Sequence, residues 1–227
     1  MDINVLFLGK CEYKRALEIQ YQLLEKRQNK EIDDTLILVE HPPVITMGRR
    51  AESTNIVVPS TILKEEGIEI FEANRGGDVT YHGPGQLVGY PIVDIRSFPI
   101  GIRDFVGKLE DVFIKLLKNE FDIDAGREKE HTGVWIEGDK IVAIGLAVKR
   151  GVTMHGFAFN INTKLEHFRL IVPCGITDKG VTSIEKLKET TFNFEEVTKL
   201  LPQYYSKEFG YKNINIIDIE SLQLEVM

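Results

Sequence analysis

Between Arg75 and Tyr90 the chain reads RGGDVTYHGPGQLVGY, in which five of sixteen residues are glycine against 19 of 227 overall. Glycine tolerates positive φ and carries no Cβ, so Gly76-Gly77 and Gly83-Pro84-Gly85 can bring bare backbone N–H groups against a ligand. The same pairs also suit two tight hairpin turns, and glycine alone does not separate these readings. Arg75, His82 and Gln86 interleave with the glycines and supply more polar side chains than a turn requires. Elsewhere the chemistry rests on single groups. Cys11 and Cys174 belong to no CxxC pair, so any cysteine chemistry uses one thiol. The histidines at 41, 82, 131, 155 and 167 show no HExxH or HxH spacing, and neither a metal nor another cofactor is expected. No GxGxxG or GxxxxGK[ST] motif is present.

These groups need a scaffold. Residues 3–8 (INVLFL) read as a strand and 12–30 as a helix, with Ala16, Leu17, Ile19, Leu23 and Leu24 at helical spacing. Residues 35–40 (TLILVE) form an apolar strand that His41-Pro42-Pro43 must end, because proline gives no ladder N–H. Strands are expected at 68–72, 78–81 and 86–95. A long helix over 103–121 repeats Val106, Leu109, Val112, Phe113, Leu116 and Leu117 at intervals of three and four. Residues 134–136, 140–148 and 152–160 read as an antiparallel meander with a turn at Glu137-Gly138-Asp139. Asn193 caps a last helix, with Glu196 reaching back and Phe192 and Val197 as staple, and Gly210 ends it. The order of elements predicts an α+β fold with a mixed, largely antiparallel sheet flanked by helices, in a single domain over 1–227.

Composition narrows the function classes. Hydrophobic residues at 43% and charged residues at 28% exclude a disordered or low-complexity chain. Formal charge is −7, which argues against duplex nucleic acid or an anionic membrane as the main partner. The longest apolar run, Ile141–Val148, is far short of the ~20 residues that cross a bilayer. With no signal-like N-terminus, the expected location is cytoplasmic.

The segment RGGDVTYHGPGQLVGYPI resembles the signature of the octanoyltransferases of lipoate biosynthesis. EHPPVITMGRR upstream, TGVWIEGDKIVAIGLAVKRGVTMHGFAFNIN in the middle and IVPCG downstream are similar to that family in the same order, over about residues 35–187. The resemblance implies the fold of the biotin and lipoate protein ligases. It implies transfer of an octanoyl group from octanoyl-acyl carrier protein, through a cysteine thioester, to a lysine of lipoyl domains. Those acceptors belong to 2-oxoacid dehydrogenase E2 subunits and the glycine cleavage H protein.

By the same resemblance, Cys174 is the acyl-thioester nucleophile and Lys140 the lysine that activates it. Thioester exchange needs a thiolate, and a free cysteine near pKa ~8.5 is only a few per cent ionised at neutral pH. Stabilising it by two units requires about 2.7 kcal/mol, within reach of a neighbouring ammonium. His82 or His155 is the competing base, since histidine is the commonest general base. The resemblance assigns acyl-substrate contacts to Arg75, Gly76, Gly77, Asp78, Val79, Thr80, Tyr81 and His82. It adds Ala143, Ile144 and Gly145, then Gly156, Phe157 and Ala158, with His155 beside them. A buried octanoyl tail would contribute about 5 to 6 kcal/mol before entropy costs.

Cys11 reads as structural, and His131, Thr182 and Ser183 carry no assigned role. Arg49-Arg50 and Lys149-Arg150 are candidates for docking an acidic carrier protein, and equally suit solvated turns. Two other function classes fit the same residues. An ATP-dependent lipoate or biotin ligase would need no nucleophilic cysteine, and a non-catalytic carrier-protein binding module would make both Lys140 and Cys174 dispensable.

Overall fold

The computed structural model describes residues 1–172, 179–222 and 224. Cys174 lies outside these residues. In chain order the strands are β1 (Ile3–Lys10), β2 (Asp34–Glu40), β3 (Val44–Met47), β4 (Glu69–Glu72), β5 (Val79–His82) and β6 (Gln86–Ile92), followed by β7 (Val134–Ile136), β8 (Asp139–Lys149), β9 (Val152–Asn160) and β10 (Ile214–Ile217). The helices are α1 (Tyr13–Gln28), α2 (Ser60–Glu65), α3 (Ile102–Phe121), α4 (Ile184–Lys188) and α5 (Phe194–Phe209).

Strand β2 is buried from Asp34 to Val39, and its run Leu36–Val39 is apolar because both of its faces are covered. Leu36 and Leu38 join Leu109, Val112, Phe113 and Leu116 of α3 in one core, together with Leu201 and Tyr205 of α5. Ile37 and Val39 point the other way, into a second core with Ala16, Ile19 and Leu23 of α1. Alternation along the strand therefore feeds two helical layers from one sheet. The six spaced apolar residues of α3 behave as expected, except that Val106 is only half-buried. Burying the other five contributes roughly 10 kcal/mol before conformational entropy. The helix stops at Asp122, which adopts the left-handed conformation.

The large sheet runs β10-β1-β2-β6-β9-β8-β7, and a small one runs β4-β3-β5. β1 pairs parallel with β2 and β10, and β3 with β4; the other ladders are antiparallel. The mixed, largely antiparallel architecture is the expected one. Asn193 caps α5 by accepting from the backbone of Glu195 and Glu196, and Gly210 closes the helix at φ 76°. Glu196 departs from the expected box: its carboxylate accepts from the Asn193 side chain (3.2 Å) instead of reaching a backbone N–H.

One expectation needs correction. Strands at 78–81 and 86–95 were expected with a glycine bend between them that could be a hairpin, yet β5 and β6 do not pair. β5 bonds to β3 in the small sheet, while β6 lies between β2 and β9 in the large one. The small sheet is thus an excursion between two antiparallel neighbours, leaving at His41-Pro42-Pro43 and returning at Gly83-Pro84-Gly85. The two links are tied where Gly85 N–H donates to the Glu40 carboxylate (2.7 Å).

Candidate active site

Two-residue turns set the strands that carry the central groups. Glu137 and Gly138 both have positive φ (50° and 92°), as do Arg150 and Gly151 (48° and 85°), the backbone of a type I′ hairpin. Lys140 follows the first turn directly, on β8. Its N–H donates to the Gly180 carbonyl and its own carbonyl accepts from Thr182 N–H, both at 3.0 Å. The half-buried side chain places Nζ 4.5 Å over the Trp135 ring. Gly133 makes this approach possible: a Cβ there would stand 2.5 Å from the Val142 carbonyl and 3.4 Å from Lys140 Cε.

From Lys140 a cavity of about 610 Å³ extends along β8 and β9. The register sets Ala143 opposite Ala158, Ile144 opposite Phe157 and Gly145 opposite Gly156, and all six residues line it. Arg75, Gly76, Gly77, Asp78, Val79, Thr80 and His82 form a facing wall from the small sheet, and His155 completes the expected set. The two walls touch at glycines. Gly76 N–H donates to the Leu146 carbonyl (3.3 Å), and a Cβ on Gly145 would stand 3.0 Å from the Gly76 carbonyl.

Tyr81 does not line the cavity. It is buried against Phe168 and His167, with its hydroxyl 2.7 Å from Nδ1 of His167. That packing explains Gly83, where a Cβ would lie 1.9 Å from the Tyr81 hydroxyl oxygen. Part of the glycine enrichment is therefore packing between layers and part is cavity wall.

The polar side chains are organised by hydrogen bonds. Arg75, 8% exposed, donates from Nη2 to the carbonyl (2.7 Å) and hydroxyl (2.9 Å) of Thr46, and from Nη1 to the Gly76 carbonyl (3.0 Å). His82 Nδ1 is 2.8 Å from Gln86 Oε1. Gln86 Nε2 donates to the Tyr81 carbonyl and to Asn160 Oδ1, and Asn160 Nδ2 donates to the Thr182 carbonyl. His41 joins the Cys11 carbonyl to the Tyr90 hydroxyl.

Burial, aided by the proximity of His41, holds His82 down to about 3. Burial lowers His41 to about 4, and burial with the nearby Arg75 lowers His155 to about 4. Burial also pushes the Tyr13 hydroxyl up to about 12 and Tyr90 well above the ordinary phenol value. His41, His82 and His155 are therefore neutral at pH 7. His155 is 1% exposed and has φ 55°.

Several wall residues were not among the expected contacts: Tyr13 of α1, Val88 and Tyr90 of β6, Ile102 and Val106 of α3, Leu146, Arg50, and Glu130-His131-Thr132. Tyr13, Ile102 and Val106 come from helices remote in sequence from the glycine-rich segment, and their types are ordinary for helices. The rise of the Tyr90-containing motif out of a glycine-rich stretch was the one local signal for that residue. Arg50 sits on the rim beside Arg49, whose N–H donates to the Arg75 carbonyl (3.1 Å). Lys149 Nζ lies 4.5 Å over Tyr21, and Arg150 is exposed in the second turn. Among the described residues no group of His, Cys, Asp or Glu is arranged to hold a metal ion, and no helix is long and apolar enough to cross a membrane.

A mixed sheet flanked by helices matches a known fold class. Residues 12–206 match the lipoyl protein ligase A/B catalytic domain, and the chain belongs to that family. Lipoate-protein ligase A bound with ATP shares the fold at a TM-score of 0.76 and 17% identity, covering 98% of this chain and 92% of the other. A lipoate protein ligase from Thermoplasma acidophilum aligns at 0.74 and 17% identity, over 98% of this chain and 90% of its own. The octanoyltransferase of Alkaliphilus metalliredigens is 54% identical over 96% of this chain and 100% of its own length. That of Caldicellulosiruptor bescii is 56% identical over 98% and 97%. The chain is an acyltransferase, of the kind these relatives represent.

Proposed function

We propose that the enzyme transfers an octanoyl group from octanoyl-acyl carrier protein to a lysine of lipoyl domains through a thioester on Cys174, with Lys140 as the base that activates the thiol. The observation that carries this reading is that Lys140 lines the cavity and is bonded through its backbone to Gly180 and Thr182. The chain on the other side of Cys174 is also held, because Val172 N–H donates to the Asn55 carbonyl (2.8 Å). The described residues on both sides of the cysteine are thus held by backbone hydrogen bonds, on one side to Lys140 of the cavity. The histidines are weaker candidates for the base, since imidazoles held near 3 and 4 are poorly matched to a thiol proton at neutral pH.

The donor thioester is already activated, so amide formation proceeds without ATP. The carbonyl carbon passes from the carrier's sulfur to Cys174 and then to the lysine amine, each step releasing a thiol. Ala143, Gly145, Gly156 and Ala158 leave room for an alkyl chain, and Ile144 and Phe157 offer it apolar surface. The carrier protein and the lipoyl domains are the proposed partners, and 1–227 acts as one catalytic domain. Incubation with octanoyl-carrier protein and no ATP tests the reading by intact mass. An added octanoyl group is expected, whereas strict dependence on ATP and free octanoate would favour a ligase.

A further inference from the structure

Two hydrogen-bond chains end at the cavity, and backbone carbonyls fix the direction of both. In the first, Asn160 Nδ2 must donate to the Thr182 carbonyl (3.0 Å), because a carbonyl only accepts. Asn160 Oδ1 is then left to accept from Gln86 Nε2 (2.9 Å), which also donates to the Tyr81 carbonyl (3.2 Å). Reversing the Gln86 amide would set oxygen against oxygen at both contacts. Gln86 Oε1 therefore faces His82 Nδ1, and the proton of that 2.8 Å bond belongs to the histidine. In a neutral ring the other nitrogen, Nε2, is then an acceptor. His82 lines the cavity, and its Nε2 is not among the polar atoms sealed from solvent without a partner.

The second chain starts at the Cys11 carbonyl, which must accept from His41 Nδ1 (2.6 Å). His41 Nε2 then takes the Tyr90 hydroxyl proton (2.7 Å), so Tyr90 offers the cavity lone pairs and no hydrogen. From these chains we infer that His82 Nε2 and Tyr90 Oη form an acceptor-only subsite for the uncharged amine of the incoming lysine. Gln86, Asn160 and His41 are its positioning residues. The inference rests on the acyl-transfer reading above. Arg75, on the same wall, disfavours an ammonium there, and the neutral amine keeps the lone pair that attacks. In that step a C–N bond forms at the thioester carbonyl, the C–S bond breaks, and the proton lost by the amine ends on the released cysteine sulfur. His82 holds an amine hydrogen throughout without removing it.

Nitrogen-15 NMR of the histidine rings in the intact enzyme tests the subsite without any turnover. Wild type is expected to show His82 protonated at Nδ1, and Gln86→Leu a mixed or reversed tautomer. Single-turnover kinetics then separates the half-reactions. Tyr90→Phe and Gln86→Leu should each raise the KM for the lysine acceptor about ten-fold, the effect of one lost hydrogen bond, with a smaller loss in acyl-enzyme formation. An Nε2-protonated His82 in wild type, or equal losses in both half-reactions, would overturn the subsite. A wild type that forms no acyl-enzyme at all would overturn the transfer reading, and this occupant with it.

Discussion

Thr182 and Lys140 are joined by a backbone hydrogen bond of 3.0 Å, and the same Thr182 anchors through its carbonyl the chain of amides that ends at His82. One short segment therefore holds the backbone of the lysine and, through the amides, the ring of the histidine. The proposed roles of the two side chains differ, and separate experiments reach them.

Cys174 is expected to carry a hydroxylamine-sensitive octanoyl adduct after exposure to octanoyl-carrier protein. Cys174→Ala and Cys174→Ser should lack it by intact mass. Undiminished transfer in Cys174→Ala would exclude the covalent route.

Lys140→Ala should slow acylation by orders of magnitude while thermal unfolding stays close to wild type. The side chain is half-buried, and its ring contact with Trp135 is worth about 0.5 to 2 kcal/mol. Near-normal activity in this variant would return the base to a histidine.

Gly83→Ala should destabilise the protein by at least about 2 kcal/mol in urea titration, because the new methyl would fall on the hydroxyl of Tyr81 inside a packed layer. Gly67→Ala provides the contrast: no atom lies within 4 Å of its added Cβ, and any loss there comes from its φ of 65° alone. A smaller loss at Gly83 than at Gly67 would mean that the small sheet yields easily.

Acid should weaken the fold in a defined window. His41, His82 and His155 sit below their ordinary value of about 6.5, so the unfolded chain takes up protons first as pH falls. The stability they permit is complete above about 6.5 and is lost as pH falls toward 4 and below. Urea midpoints at pH 7.5 and 5 should differ accordingly, and His41→Gln should reduce the difference. An unchanged midpoint would show that these rings are protonated in the folded protein.

Salt should separate donors by size. If Arg49, Arg50, Lys149 and Arg150 dock an acidic carrier protein, raising salt to ~0.5 M should weaken its use, as the Debye length contracts to about 4 to 5 Å. Turnover of octanoyl-pantetheine, which has no phosphate, should hardly change. Charge reversal at Arg49-Arg50 should slow association with the carrier protein and spare the small donor. Equal losses with both would place these residues at the acyl site.

Much of this architecture is legible from local pattern. The period of α3, the apolar run of β2 and the two hairpins bounding β8 are set by neighbours in sequence, and each lies where periodicity and turn chemistry put it. β3 and β10 were missed. Four residues after Pro42-Pro43 are too few for a pattern, and β10 has half-exposed and exposed residues that show no alternation toward a core. The glycine-rich segment was visible as a site, yet not as the return link between two sheets, because pairing partners separated by tens of residues leave no local mark. Tyr13 and Tyr90 reach the cavity for the same reason, Tyr13 packing beside Val44 and Ala73 and Tyr90 lying on β6 of the large sheet. The residues around Cys174 were legible through family resemblance alone.

The cavity draws its walls from Tyr13 near one end of the chain and from β9 far along it, with Lys140 held by residues 180 and 182. Closing such loops costs entropy before any contact repays it, so these walls meet late in folding. During synthesis, a ribosome must release the chain beyond Thr182 before the lysine is anchored. Partly made or partly unfolded molecules therefore lack the assembled cavity, and on the proposed thioester route they hold no acyl group to waste by hydrolysis.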